Sequence, residues 1–126
     1  MLKKIVVVDD NEPLRTLMKA LICMLMPGCE VSTAENAEKG IDIVKAVEPD
    51  IVFIDMIMPG MDGIEATARI KNLLPATKVV ILTGYDDPAL RKQAKSSGAC
   101  HYMLKQAMHN ELKPLLNRLL AQRNDA

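Results

Sequence analysis

Two apolar runs in this sequence end on acids. "IVVVDD" closes on Asp9 and Asp10, and "VFIDMIMPG" reaches Asp55 before leaving through Pro59 and Gly60. Thr83 follows a third run, "KVVIL", and Lys105 follows "CHYML". If these strand ends are neighbours, three carboxylates converge, and a like-charged pair ~4 Å apart repels by roughly 4 kcal/mol at an effective dielectric of about 20. Such a cluster needs a cation. Hard carboxylate oxygens with no His or Cys nearby suit Mg²⁺, or Mn²⁺ in its place, which keeps several waters and accepts oxygens from a phosphorylated ligand. With the Lys105 ammonium and the Thr83 hydroxyl beside it, the set suits an anion that gains charge, such as a phosphoryl group in transfer.

The elements that would position these groups can be read from the pattern around them. "KIVVV" (4–8), "DIVFI" (50–54) and "KVVIL" (78–82) are short, continuously apolar and rich in β-branched residues, as strands covered on both faces are. "CEVSTA" (29–34) and "CHYML" (100–104) are more polar and fit sheet edges. Between the strands the apolar residues take helical spacing. The first helix carries Leu14, Leu17, Met18, Leu21, Ile22 and Leu25, and the last carries Leu112, Leu115, Leu116, Leu119 and Leu120.

Caps agree with this division. Asn11, Asn36 and Asp87 stand where helices begin, Asp62 with Glu65 reads as a capping box, and Gly98 can end the fourth helix. Pro114 is the misfit, tolerable if the last helix starts close before it. The count is five strands and five helices in alternation. That implies an α/β fold, a doubly wound parallel sheet with right-handed crossovers and helices on both faces. In such a sheet ligands bind outside the carboxyl ends of the strands, so Asp9, Asp10, Asp55, Thr83 and Lys105 should emerge at one edge.

Singly, each of these residues has a plainer reading. Asp9 and Asp10 could be capping or solvated charges, Thr83 a turn hydroxyl, Lys105 a solvated lysine, and Asp55 an acceptor for the backbone of its own turn. Their joint placement at four strand ends argues for chemistry.

Composition narrows the classes. The 126 residues fit one domain (1–126), with a frayed or linker-like tail after about residue 121, and carry 16 basic and 16 acidic side chains for a formal net charge of zero. That balance gives no footprint for nucleic acid. With one Phe, two Tyr and no Trp, base-stacking platforms and aromatic cages are also excluded. Three cysteines, Cys23, Cys29 and Cys100, without C-x-x-C spacing argue against a disulfide framework or zinc site and favour a reducing cytoplasm. "LICMLM" (21–26) is too short to span a bilayer, and the N-terminus lacks a signal-peptide layout.

Rival sites on the same architecture fail on residues. "DDNEP" after the first strand would repel the phosphate of a flavin nucleotide, and neither G-x-x-x-x-G-K-[ST] nor G-x-G-x-x-G occurs. Ile57 occupies the place where a haloacid-dehalogenase-like phosphatase needs its second Asp.

The "DD" of "VVVDD", the "DMIMPGMDG" stretch, the "LTG" of "VVILTG" and "YMLK" before a final amphipathic helix occur in order over essentially the whole chain. In these the chain resembles the receiver domains of two-component response regulators. The resemblance implies a flavodoxin-like sheet of order 2-1-3-4-5. It also implies that Asp55 accepts a phosphoryl group from a sensor histidine kinase or phosphotransfer protein. Asp10, Asp55 and the Ile57 backbone carbonyl would hold Mg²⁺, with Asp9 acting through water. Lys105 would pair with phosphoryl oxygens, and Thr83 would move toward them and let Tyr102 turn inward. That motion would reshape the face of the fourth helix, fifth strand and fifth helix for a downstream protein, a fused output domain or a second copy of the domain.

The implied protein is a cytoplasmic phosphoacceptor, not an enzyme, with no direct contact to nucleic acid or membrane. Gln106 follows Lys105 where many relatives have proline, so no cis Lys-Pro bond can set that loop. The alternative of another class is a pseudo-receiver, an interaction module that never uses Asp55.

Overall fold

A computed structural model of the protein describes residues 2–121. The strands are β1 (Lys4–Val8), β2 (Glu30–Ala34), β3 (Ile51–Asp55), β4 (Lys78–Thr83) and β5 (His101–Leu104). The helices are α1 (Glu12–Leu25), α2 (Ala37–Val47), α3 (Gly63–Leu73), α4 (Pro88–Ser97) and α5 (Met108–Ala121), and a 3-10 turn, Lys105–Ala107, leads into the last. All strand pairs are parallel, in the order β2-β1-β3-β4-β5. Sheet order and alternation are as expected. β2, β3 and β5 each begin one residue later than the sequence pattern suggests, and β3 and β4 each take in the polar residue at their end, Asp55 and Thr83.

Two apolar layers sandwich the sheet. Alternate strand residues Val6, Val8, Val52, Ile54, Val79 and Ile81 face Ile41, Val44, Ala66 and Ile70 of α2 and α3. Ile5, Val7, Ile51, Phe53, Val80 and Leu82 face Met18 and Ile22 of α1 and Leu112, Leu115, Leu116 and Leu119 of α5. The period-2 alternation of the strands thus feeds two cores. β3, with a neighbour on each side, is buried along its whole length. In α4 Ala94 alone is fully buried, so this helix is held by the smallest apolar contact of the five.

The predicted caps form. Asn11, Asn36, Asp62 and Asp87 each accept a backbone N–H through the side chain, and Gly98 closes α4 with φ 110°. The capping box at Asp62 is only half made, because Glu65 pairs instead with Arg69 at 3.5 Å. Long lysines tie the far edge together. Lys71 Nζ donates to the carbonyls of Pro75 (2.6 Å) and Thr77 (2.8 Å), and Lys78 Nζ donates to the Leu119 carbonyl at 2.7 Å.

Pro114 lies well inside α5, not near its start. Its missing N–H leaves the Asn110 carbonyl without a helical partner, and the helix continues because both residues are exposed, where water serves that carbonyl. Pro114→Ala should therefore stabilise the domain, by about 1–3 kcal/mol. Urea denaturation of the two proteins measures it, and equal midpoints would contradict it.

Candidate functional site

The register of β1 on β3 pairs Val8 with Ile54, so one further residue brings Asp9 level with Asp55. Carboxylate oxygens of Asp9, Asp10 and Asp55 lie within 4.8 Å of one another. Asp9 has no exposed surface and Asp55 is 6% exposed, while Asp10 faces solvent. The gathering expected from the sequence is present.

Each acid is held by its own turn. Asp9 Oδ1 accepts the Asn11 N–H at 2.8 Å, and the Asp9 carbonyl accepts from Arg15 Nη1 at 2.8 Å. Asp9 Oδ2, by contrast, is buried with no hydrogen bond and has only the Lys105 ammonium at 3.5 Å. Asp55 Oδ1 accepts the Ile57 N–H at 3.3 Å, and its Oδ2 lies 3.2 Å from Lys105 Nζ. Burial first, and the Asp9 charge second, push the Asp55 carboxyl from its ordinary 3.8 up to about 6, with Lys105 opposing the rise.

β3 and β4 pair Asp55 with Leu82, which puts Thr83 one step beyond on the adjoining strand. Thr83 is buried, and its Oγ1 accepts the Tyr85 N–H at 3.1 Å, leaving the hydroxyl proton free. Tyr102 is not part of the acid cluster. It lies inward on β5, 8% exposed, and its hydroxyl donates to the Tyr85 carbonyl at 2.6 Å. The Arg91 guanidinium sits 4.6 Å from the centre of its ring. Ile57 and Tyr85 stand at the rim of the site with their side chains in solvent.

Some details of the site go beyond what the sequence signals. Asp9 was expected only at second remove, yet it is the most buried of the three acids. Gly63 opens α3 directly against the end of β3: a Cβ there would lie 2.3 Å from the Asp55 carbonyl oxygen. Gln106, in place of the proline, reaches from Lys105's turn to the Gly84 carbonyl at 3.4 Å, bridging two loops of the site edge.

Residues 5–117 match the response regulator receiver domain. The chain belongs to that family. The receiver domain is 31% identical over 118 residues to the sporulation initiation phosphotransferase F of Bacillus subtilis (strain 168), covering 94% of each chain. It is 36% identical over 102 residues to the transcriptional regulatory protein LnrK of the same organism, covering 81% of this chain and 46% of LnrK. The chain thus spans about half the length of several curated relatives it matches, 54% in the case of the nitrate/nitrite response regulator protein NarL of Escherichia coli (strain K12). Among solved structures, a DNA-binding response regulator of the LuxR family from Staphylococcus aureus superposes with a TM-score of 0.85 at 27% identity, covering 94% of this chain and 98% of that one. Receiver domains of two-component systems share this sheet order, so the fold and family inferred from the motifs hold. No helix among the described residues is long and apolar enough to cross a membrane.

Proposed function

We propose that this receiver domain is a phosphorylation-activated switch whose Asp55 takes a phosphoryl group from the phosphohistidine of a sensor histidine kinase or phosphotransfer protein. The observation that carries the reading is the meeting of three carboxylates within 4.8 Å beside a lysine, with a buried Asp9 oxygen left without a hydrogen bond. An all-oxygen donor set in which a buried oxygen accepts no hydrogen bond fits a hard divalent cation. Asp10, Asp55 and the Ile57 carbonyl would hold Mg²⁺, or Mn²⁺, with Asp9 assisting through water. Bound there, the ion would offset the repulsion among the acids and the charge growing on the phosphoryl oxygens.

The chain's own residues do the rest. An Asp55 carboxylate oxygen bonds to phosphorus as the phosphorus–nitrogen bond breaks, and the electron pair of that bond stays on the imidazole. Lys105, already 3.2 Å from Asp55, pairs with the phosphoryl oxygens. Thr83 donates its free hydroxyl proton to them. Because its oxygen also accepts the Tyr85 N–H, movement of Thr83 draws on the loop whose carbonyl holds Tyr102. The face of α4, β5 and α5 then changes for a downstream protein or a fused output domain. The domain catalyses only its own phosphorylation and dephosphorylation, in the cytoplasm.

Intact mass after incubation with acetyl phosphate and Mg²⁺ tests this. One added phosphoryl group is expected on the wild type, and none on Asp55→Asn or in excess chelator. A wild type that gains no mass would make the domain a constitutive interaction module.

Ile57 and Tyr85, exposed and apolar at the rim, shield the acyl phosphate from attacking water. The double variant Ile57→Asn, Tyr85→Glu should shorten its half-life by roughly tenfold, a barrier change of about 1.4 kcal/mol. A chase of phosphorylated protein followed by mass reads this out, and an unchanged half-life rules the shield out.

A further inference from the structure

Gly84 and Tyr85, where the chain leaves β4 for α4, are held in place by side chains. Among the described residues neither makes a backbone–backbone hydrogen bond, and residues 84–89 are all exposed. Three side-chain contacts take over. The Tyr85 N–H donates to Thr83 Oγ1 at 3.1 Å, the Tyr85 carbonyl accepts from the Tyr102 hydroxyl at 2.6 Å, and the Gly84 carbonyl accepts from Gln106 Nε2 at 3.4 Å. The third comes from the turn Lys105–Ala107, one residue beyond the lysine that faces Asp55 at 3.2 Å. Gln106 is itself exposed, and its side chain makes no other hydrogen bond among the described residues.

The Gly84 carbonyl and the Tyr85 N–H are opposite ends of one peptide unit, which is planar and turns as a plate. Its oxygen rests on Gln106 and its N–H on Thr83. Gly84 supplies the hinge, since nothing lies within 4 Å of where its Cβ would stand and a residue without a side chain turns at little steric cost. We propose, resting on the switch reading above, that Gln106 is a positioning residue: it latches this peptide in the resting orientation and so sets how readily Thr83 moves toward the phosphoryl oxygens. When Thr83 turns toward Asp55 and the Tyr85 N–H follows it, the plate rotates and the Gly84 carbonyl leaves Gln106. When the plate stays on Gln106, the Tyr85 N–H loses its acceptor. The amide opposes the move in both cases. The bond is long and exposed, so the latch biases the switch without locking it.

The test compares wild type with Gln106→Met, which keeps the length and loses the donor, and with Gln106→Ala. Beryllium fluoride with Mg²⁺ serves as the phosphoryl mimic. Calorimetry measures the affinity for the mimic and for Mg²⁺ alone, and intact mass after acetyl phosphate reads phosphoryl uptake. Both variants should bind the mimic roughly three- to tenfold more tightly than wild type, the range for one modest hydrogen bond lost from the resting state alone. Affinity for Mg²⁺ alone should be unchanged, because the ion meets the acids and not the plate. Amide signals of Ala94 and Tyr102, outside the turn that carries residue 106, should move in the unmodified variants along the line joining the resting and mimic-bound positions of the wild type.

Mimic affinity that is equal or weaker in Gln106→Met, a Mg²⁺ affinity that changes by the same factor, or amide displacements confined to Gly84, Tyr85 and the substituted position would each overturn the latch. A wild type that takes up neither mimic nor phosphoryl group removes the switch and the latch together; a wild type that takes up both, with variants that match it, removes the latch alone.

Discussion

Asp55→Asn is expected to accept no phosphoryl group and yet, stripped of divalent ions, to melt well above the wild type near pH 7. Burial and the neighbouring Asp9 raise the Asp55 carboxyl from 3.8 to about 6, so the fold favours its protonated form. The associated stability is fully present below 3.8 and is lost as pH rises through about 6. At about 1.4 kcal/mol per pKa unit, the ionised carboxylate costs the native state at most about 3 kcal/mol above that range. Asparagine escapes the cost, and Lys105 keeps Asp9 as a partner.

Thermal melts in chelator should therefore separate the two proteins by up to roughly 10 °C near neutrality. The gap should close on acidification and be gone below about pH 4, where the carboxyl is protonated in both states. Added Mg²⁺ should close the gap and, at a thousandfold excess over its dissociation constant, reverse the order, because such an excess stabilises the state that binds the ion by about 4.1 kcal/mol. An Asn variant no more stable than the wild type in chelator would mean that the acid cluster carries no repulsive strain.

Gly63→Ala should be the most damaging conservative change near the site. The added methyl would lie 2.3 Å from the Asp55 carbonyl oxygen, 2.8 Å from Met56 Cα and 3.0 Å from the Asp55 carbonyl carbon. All three are backbone atoms, so no rotamer relieves the overlap, and the Gly63 N–H is meanwhile bonded to the Met56 carbonyl at 2.9 Å. Either α3 retreats or the end of β3 shifts. The cost is put at about 3 kcal/mol, the upper part of the overpacking range, with slower phosphorylation because Asp55 itself is displaced.

Two other glycines calibrate the measurement. At Gly84 nothing lies within 4 Å of where a methyl would stand and the backbone is not left-handed, so Gly84→Ala should change stability by under about 0.5 kcal/mol. Gly40→Ala meets the buried Val8 side chain, its two γ carbons at 2.7 and 3.1 Å; no rotamer clears both, but the overlap is with side-chain and not backbone atoms, so the cost should fall between. Urea midpoints that rank the three otherwise would show that side-chain room, not backbone approach, controls these sites.

What could be read beforehand divides by distance along the chain. Strand ends, caps and the acid pair at Asp9 and Asp10 are local patterns, and the parallel-sheet rule carries them to one edge without knowledge of any contact. Pairings across the chain have no such signal. Nothing in the neighbourhood of Gln106 announces the Gly84 carbonyl 22 residues earlier, and Lys78 reaches Leu119 across 41. The depth of Asp9 was missed for a related reason: an acid beside a helix start normally stays wet, and here the Asn11 N–H, the adjoining strand and Lys105 enclose it. The placement of Pro114 failed on a general rule, because an exposed carbonyl tolerates the loss of its helical donor.

Asp55, the proposed acceptor, stands at the end of β3, the strand buried along its whole length, with two further strands on either side of it. An added dianion at that position would find a footing costly to shift, since moving it strains two hydrogen-bonded ladders at once. Relief has to come from whatever around it is cheaper to move, and the loosely anchored fourth helix and the loop before it are the cheapest. Under the proposed switch, work done at the acid would thereby be directed sideways across the sheet edge instead of being dissipated in the centre.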